Sequence, residues 1–208
     1  MSDALKIEAG FIVEGHGDVE AVPAVFRRIA KLTYPTALIV SPTPFRVPKD
    51  RLRRSGELER TVEFVARTLN GQGLILITVD SDNDLPCILG PELRLRAAIT
   101  RPDMSIGVAI AKREFESWFV GSAESIAGCR GLRTDLISHP DPENLRGAKE
   151  WLTRNMIEKV YRETRDQKEL ARIFDLNTAR RRCPSFDKFF REVERLCHSA
   201  VRPVDNAF

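Results

Sequence analysis

The residues from which most redox and soft-metal sites are built are scarce in this sequence. Three histidines (His16, His139, His198) and four cysteines (Cys87, Cys129, Cys183, Cys197) are scattered over 208 residues. No C-x-x-C pair occurs, which argues against a structural zinc site and leaves reduced, mostly buried thiols as the expectation. A metal bound here is therefore expected to be a hard cation held by carboxylates. Long apolar runs are missing too. No segment reaches the ~18 apolar residues of a membrane helix, and residues 1–6 lack a signal peptide's apolar core behind a basic start. A cytoplasmic protein with no membrane partner is the expectation. Absence of a G-x-x-x-x-G-K-[S/T] loop means that the chain is not itself a P-loop ATPase.

A strong excess of one charge is also lacking: 33 Lys and Arg stand against 30 Asp and Glu, a formal +3. The placement of charge thus carries more information than its sum. With 42% hydrophobic residues, a chain of this length buries ~70% of its unfolded surface and needs no disulfides to hold a core. Disorder, collagen-like repeats and disulfide-stapled mini-proteins are excluded.

What is present reads as alternating strands and helices. Residues 5–13 end in Phe11-Ile12-Val13, an apolar run suited to a strand buried on both faces, and stop at Glu14-Gly15-His16-Gly17-Asp18. The two glycines signal a tight turn. Val19, Val22, Phe26, Ile29 and Ala30 then recur at helical spacing, with Asp18 as the expected N-cap. A short strand is expected over residues 37–40, followed by a basic connector from Arg46 to Arg54 that carries Arg46, Lys49, Arg51, Arg53 and Arg54. A helix over about 56–69 precedes the strongest strand signal, Leu74 to Val79, which ends in Asp80-Ser81-Asp82-Asn83-Asp84. A helix over about 90–99 and a strand over 106–111 complete the alternation, which argues for an α/β fold with a parallel sheet of about four strands. Beyond it the sequence is helical, and Phe186, Phe189, Phe190, Val193, Leu196 and Cys197 form one stripe on a helix over about 184–200. The division expected is an α/β part over 1–125 and a helical region over 126–208 packed on it.

In an open parallel sheet, ligands bind beyond the carboxyl ends of the strands. Glu14 follows the first strand there, and Asp80 with Asp82 follows the third. Carboxylates from separate segments at one edge repel unless a cation lies between them, so Mg²⁺ or Mn²⁺ is the economical expectation. The plainer alternative is that these acids are loop residues or caps. Asp84 extends the cluster as a ligand or a turn residue, as does Asn83, whereas Glu20 points elsewhere on its helix. After the fourth strand, Lys112-Arg113-Glu114-Phe115-Glu116 reaches the same edge. Lys112 or Arg113 suits contact with a scissile phosphate, and Glu114 or Glu116 suits a second metal; equally, Glu114 suits a helix cap, with Phe115, Trp118 and Phe119 buried against the sheet. His16 is a candidate proton shuttle or a plain loop residue, and His139 and His198 have no partner pattern. Arg46, Lys49, Arg51 and the run Arg180-Arg181-Arg182 are candidate contacts to a nucleic-acid backbone, or else solvated faces paired with acids such as Asp175 and Asp187.

A strand ending in E-G-x-x-D, followed after a long interval by an apolar strand ending in D-x-D, resembles the TOPRIM domain of topoisomerases, DnaG-type primases and OLD-class nucleases. The resemblance covers about residues 5–115 and matches Glu14, Gly15, Asp18, Asp80 and Asp82. Over nearly the whole chain, F-I-V-E-G-H-G-D-V-E, D-S-D-N-D, R-E-F-E-S-W-F, R-G-A-K-E-W-L and P-S-F-D-K-F-F resemble the bacterial TOPRIM-like family called domain of unknown function 4276. The resemblance implies a Rossmann-like TOPRIM sheet, Glu14 as general acid/base or metal ligand, and Mg²⁺ on Asp80 and Asp82, with Asp18 suggesting a two-metal nuclease arrangement. It also implies nucleic acid as substrate and a separately encoded ATPase as partner in anti-phage defence. Only Tyr34 and Tyr161 are available as tyrosine nucleophiles, and no gate domains accompany them, which argues against strand passage. The rival expectation is a catalytically silent binding or regulatory module of the same fold. A haloacid dehalogenase-type phosphatase fits poorly, because its nucleophilic Asp belongs where Glu14 stands.

Overall fold

The apolar runs read as buried strands become neighbours in one parallel sheet in the computed structural model, which describes residues 5–201. Residues 1–4, most of the start weighed as a signal peptide, lie outside the described residues. The first half of the chain runs β1 (Lys6–Val13), α1 (Asp18–Thr33), β2 (Leu38–Val40), β3 (Phe45–Arg46), α2 (Lys49–Leu52), α3 (Glu57–Thr68), β4 (Leu74–Asp80), α4 (Pro86–Thr100) and β5 (Ser105–Ala111). Then come α5 (Ser117–Gly121), α6 (Ala148–Arg154), α7 (Lys168–Ile173), α8 (Leu176–Arg182) and α9 (Pro184–Val201). A π-type turn, Glu163–Gln167, leads into α7. No helix among the described residues is long and apolar enough to cross a membrane.

The expected mixed α/β class and parallel sheet are what the chain forms. The path is β2-β1-β4-β5, all parallel, with β4 central and buried from Leu74 through Val79. Period-two alternation divides β4 between two cores. Leu74 and Leu76 pack with α1 and α9 on one face, and Ile75, Ile77 and Val79 with α3 and α4 on the other. An unexpected strand, the two-residue β3, runs into the start of the basic connector and pairs Phe45 with Ile12 and Arg46 with Val13. So short a strand carries no periodicity from which it could be read.

The helical C-terminal region closes the α1 face. α9 buries Phe186, Phe189, Phe190, Val193, Leu196 and Cys197, the stripe expected from the sequence, at about 1.5–3 kcal/mol for each large side chain. Its close approach to β5 depends on Gly107, where a Cβ would fall 2.7 Å from Leu196 Cδ1. Trp118 links this layer to the sheet, lying 5.1 and 5.0 Å from the rings of Phe186 and Phe189. Its indole Nε1 donates to Ser185 Oγ at 2.9 Å, so the buried nitrogen is satisfied. Of the cysteines, Cys183 and Cys197 are buried, but Cys87 is exposed on α4.

Candidate functional site

β1 and β4 are adjacent and parallel, so their carboxyl ends deliver Glu14 and Asp80 to the same sheet edge. The two touch: the Asp80 amide donates to Glu14 Oε2 at 3.1 Å. Asp80 Oδ1 in turn accepts from the Phe115 amide at 2.9 Å, tying the end of β4 to the segment that follows β5. That segment turns sharply at Arg113, with φ +63°, and Asp82 adopts φ +49° opposite it. The loops are stitched by Arg113 N–H to Ser81 Oγ at 2.8 Å and Asp82 N–H to Arg113 O at 3.0 Å.

Asp18 corrects one expectation. It is the first residue of α1 rather than its N-cap, a position held by Gly17, and its side chain reaches back to accept from the Gly15 amide at 2.8 Å. The second oxygen accepts from Gln167 Nε2 at 2.7 Å. Both glycines of the turn have steric reasons. A Cβ on Gly15 would lie 2.9 Å from Asp18 Oδ2, and one on Gly17 would lie 1.7 Å from Gln167 Oε1.

These groups line a cavity of about 220 Å³ formed by Glu14, Gly15, Asp18, Asp80, Asp82, Glu116, Lys149, Glu163 and Gln167. Six of the lining side chains are acids and Lys149 alone is a cation. Glu116 is buried; its Oε1 accepts from the Tyr161 hydroxyl at 2.9 Å, and its Oε2 has no partner. Burial, with Asp18 adding like charge, pushes the Glu116 carboxyl up to about 8, although Lys149 opposes the rise. Burial and the charges of Asp18 and Glu116 hold Asp80 well above the usual carboxylate range. Asp18 and Glu14 are raised as well, again chiefly by burial. Burial pulls the Lys149 ammonium down, but Glu116 and Glu163 more than offset it and keep it charged. Lys149 also forms an ion pair with Glu163.

The site thus concentrates hard oxygen donors that repel one another, with one ammonium lining the cavity and a second, Lys49, behind Asp82. Such a donor set fits Mg²⁺ or Mn²⁺ better than any softer ion, and the bare Glu116 Oε2 is an acceptor awaiting a cation or a proton. Among the described residues, no three acid, histidine or cysteine side chains are placed to grip one ion as they stand.

The remaining expected site residues divide. Glu114 does not line the cavity. Its carboxylate accepts from the amides of Gly147, Ala148 and Lys149 at 3.2, 3.3 and 3.3 Å, so it caps a helix, though α6 rather than its own. That cap is what aims Lys149 into the site. Lys112 turns away into a separate groove beside β5. Lys49, expected on nucleic acid, is buried beneath the Asp80–Asp84 loop; its Nζ donates to Ser81 O at 3.0 Å and Asp82 Oδ2 at 2.5 Å and pairs with Asp84 at 3.2 Å. Asp84 also pairs with Arg53, which fits its reading as a turn residue. Arg46 is exposed on the rim, 3.4 Å from the Glu14 carbonyl, and Arg51 pairs with Glu57.

The run Arg180-Arg181-Arg182 is spent on internal contacts. Arg180 pairs with Asp187 and lies over the Phe190 ring at 3.8 Å, Arg181 donates to Thr178, and Arg182 binds Glu124 and Ser138. His16 is exposed, and His139 and His198 bond only nearby backbone. Lys149, Glu163, Gln167 and Tyr161 are site residues that the sequence reading missed. The R-G-A-K-E-W-L stretch was the one available signal, since it contains Lys149; the other three come from an irregular segment without periodicity.

The family model for Domain of unknown function (DUF4276) matches residues 13–194 of the chain. No curated protein and no solved structure matches it at a significant level.

Proposed function

The chain belongs to the DUF4276 family, and from its acid cavity we propose a Mg²⁺- or Mn²⁺-dependent hydrolase of phosphodiester bonds in nucleic acid. The observation that carries this reading is the convergence of Glu14, Asp18, Asp80 and Glu116, from three separate strand ends, on one cavity with Lys149 as its only cation. The resemblance of the E-G-x-x-D and D-x-D motifs to TOPRIM domains supports the same chemistry and, with it, the reading of an anti-phage effector working beside a separately encoded ATPase.

Asp18, Asp80 and Glu116 would hold the cation, which supplies Lewis acidity toward the phosphodiester when bound. Glu14, raised by burial, is suited to take the proton of the attacking water. Water adds at phosphorus, the ester P–O bond breaks, and the departing oxygen is protonated from solvent. Lys149 remains charged within the cavity and favours the negative charge that develops on the phosphoryl oxygens. Gln167 and the Gly15 amide fix Asp18, and Tyr161 fixes one oxygen of Glu116, so neither carboxylate must be ordered during the reaction.

The test is cleavage of single- and double-stranded DNA and RNA by the purified protein with Mg²⁺ or Mn²⁺, together with calorimetry of metal binding. Glu14→Gln and the Asp80→Ala, Asp82→Ala double variant are expected to lose at least 100-fold in rate while keeping the circular dichroism of the parent. Undiminished cleavage by the double variant overturns the proposal. A second reading, a silent binding module, is favoured by one observation: Lys149 already pairs within the cavity and supplies an internal counter-charge. That module would show no metal binding that depends on Asp80 and Asp82.

A further inference from the structure

A second cavity, larger than the acid site, lies apart from it. It is a groove of about 740 Å³ along β5, between α4 and α9. β5 is the last strand of the sheet path, so its outer side has no neighbouring strand. In an extended strand the N–H and C=O of one residue point the same way and alternate along the chain. The Ala111 carbonyl accepts from Ser81 on the β4 side, whereas the carbonyls of Ile106 and Val108 accept from Arg195 and Arg94 at 3.0 and 3.1 Å on the other. The amides of Val108 and Ile110 therefore point outward, along the groove that both residues line, and no strand lies there to accept from them.

The groove is made of donors. Arg94, Lys112, Lys188, Arg191 and Arg195 line it against two acids, Glu143 and Glu192. Both acids are already engaged. Glu143 accepts from the Ser185 amide at 2.7 Å, and Glu192 sits between Arg94 and Arg195 at 2.8 Å from each. Lys112 and Lys188 have no ion-pair partner among the described residues. The floor between the charges is apolar, from Val108, Ile110 and Pro91. Gly90 keeps it open: a Cβ there would stand 3.4 Å from Ile110 Cγ1, so any longer side chain would lie in the groove. Its φ is not positive, so the backbone does not require glycine, and a mid-helix glycine is less stable than alanine.

We propose that this groove receives an extended, acidic segment of a partner protein, which adds to β5 as a further strand. Its carbonyls accept from the free amides of Val108 and Ile110, its alternate acidic side chains meet Lys112 and Lys188, and its apolar side chains cover the floor. The net positive lining selects acidic segments, and the apolar floor with its edge amides favours peptide over nucleic acid. The Arg94–Glu192–Arg195 clamp covers the two carbonyls nearest the start of the strand and so limits unspecific pairing at the rest of the edge.

The probe is a fluorescein-labelled, end-capped octapeptide of alternating Glu and Val, set against its Lys-Val counterpart and an oligo-dT of similar charge, each titrated into the full chain by anisotropy. The acidic peptide is expected to bind at least tenfold more tightly than the lysine peptide, to slow amide exchange at Val108 and Ile110, and to shield Cys87, which lines the groove, from maleimide. The double variant Lys112→Glu, Lys188→Glu and, separately, Gly90→Phe are each expected to weaken binding at least tenfold with unchanged circular dichroism. Equal binding of the two peptides, or binding that leaves exchange at Val108 and Ile110 unaltered, overturns the proposal. So does preferential protection of the same amides by oligo-dT.

Discussion

The Tyr161 hydroxyl donates at 2.9 Å to Oε1 of Glu116 in the protein interior, while Oε2 of that carboxylate has no hydrogen-bond partner among the described residues. A carboxylate so placed is costly to ionise, and its proton is held up to about 8, first by burial. Because the folded pKa lies above the unfolded value of 4.5, the folded state binds the proton more tightly. The associated stability is complete below pH 4.5 and is lost as pH rises through about 8, on the order of 5 kcal/mol at full ionisation. Asp80, raised in the same direction, adds to the loss. Urea denaturation between pH 5 and 9 is expected to show falling stability, and Glu116→Gln is expected to flatten the curve. An unchanged slope in that variant removes Glu116 as the cause.

Cation binding is expected to be linked to protons. Mg²⁺ or Mn²⁺ at the cavity competes with protons held by Glu116 and Asp80, so affinity should rise at least tenfold from pH 6 to pH 8. Calorimetry in two buffers of different ionisation enthalpy should report proton release. Glu116→Gln should diminish that release, and equal release by variant and parent contradicts the expectation.

Lys49 is expected to govern stability rather than the salt dependence of nucleic-acid binding. Lys49→Met leaves the Ser81 carbonyl without its donor and Asp82 facing Asp84 without their shared cation. A loss of about 1–3 kcal/mol follows from orphaning such groups, reduced because the Asp82 side chain is 55% exposed. Chemical denaturation measures the loss, and a change below about 0.5 kcal/mol, the lower end of the hydrogen-bond range, shows the pair to be idle.

Gly17→Ala tests the turn by steric means alone, because φ at Gly17 is −70° and alanine adopts it freely. The added Cβ falls 1.7 Å from Gln167 Oε1 and 2.9 Å from the Glu163 carbonyl. Gln167 must leave Asp18, and about 1–3 kcal/mol of stability should go with it, along with at least tenfold in metal affinity. Thermal melting and calorimetry check both, and a variant with parental values for each shows that the turn tolerates a side chain.

Much of the α/β half was legible because its signals are local. The buried run at residues 74–79 and the acids after the first and third strands required only period and position. β3 escaped because two residues carry no period. Asp18 was assigned the N-cap by its residue type, but Gly17 holds that place, and the freed carboxylate turns to Gly15 and Gln167. Charge runs are legible only in part: the pairing of Arg180 with Asp187 is the alternative the sequence offers, whereas the acids that meet Lys49 and Arg182 lie 33 and 58 residues away and carry no local signal. The missing wall of the cavity, Lys149 with Glu163 and Gln167, arrives from the first turn of a short helix and from a π-type turn, elements fixed by tertiary contacts rather than local pattern.

The cap that Glu114 places on Gly147, Ala148 and Lys149 bears on how this gene can be divided. A fragment ending at residue 125 would keep Glu14, Asp18, Asp80 and Glu116 but lose Lys149, Gln167 and the acceptor's three donors. The acids lining the cavity would then face each other without the Lys149 ammonium, and Asp18 would keep the Gly15 amide but lose Gln167. The cavity is accordingly built by both halves of the chain: a sheet half transferred without the later helices would carry the carboxylates of Glu14, Asp18, Asp80 and Glu116 without the Lys149 counter-charge that lines the cavity.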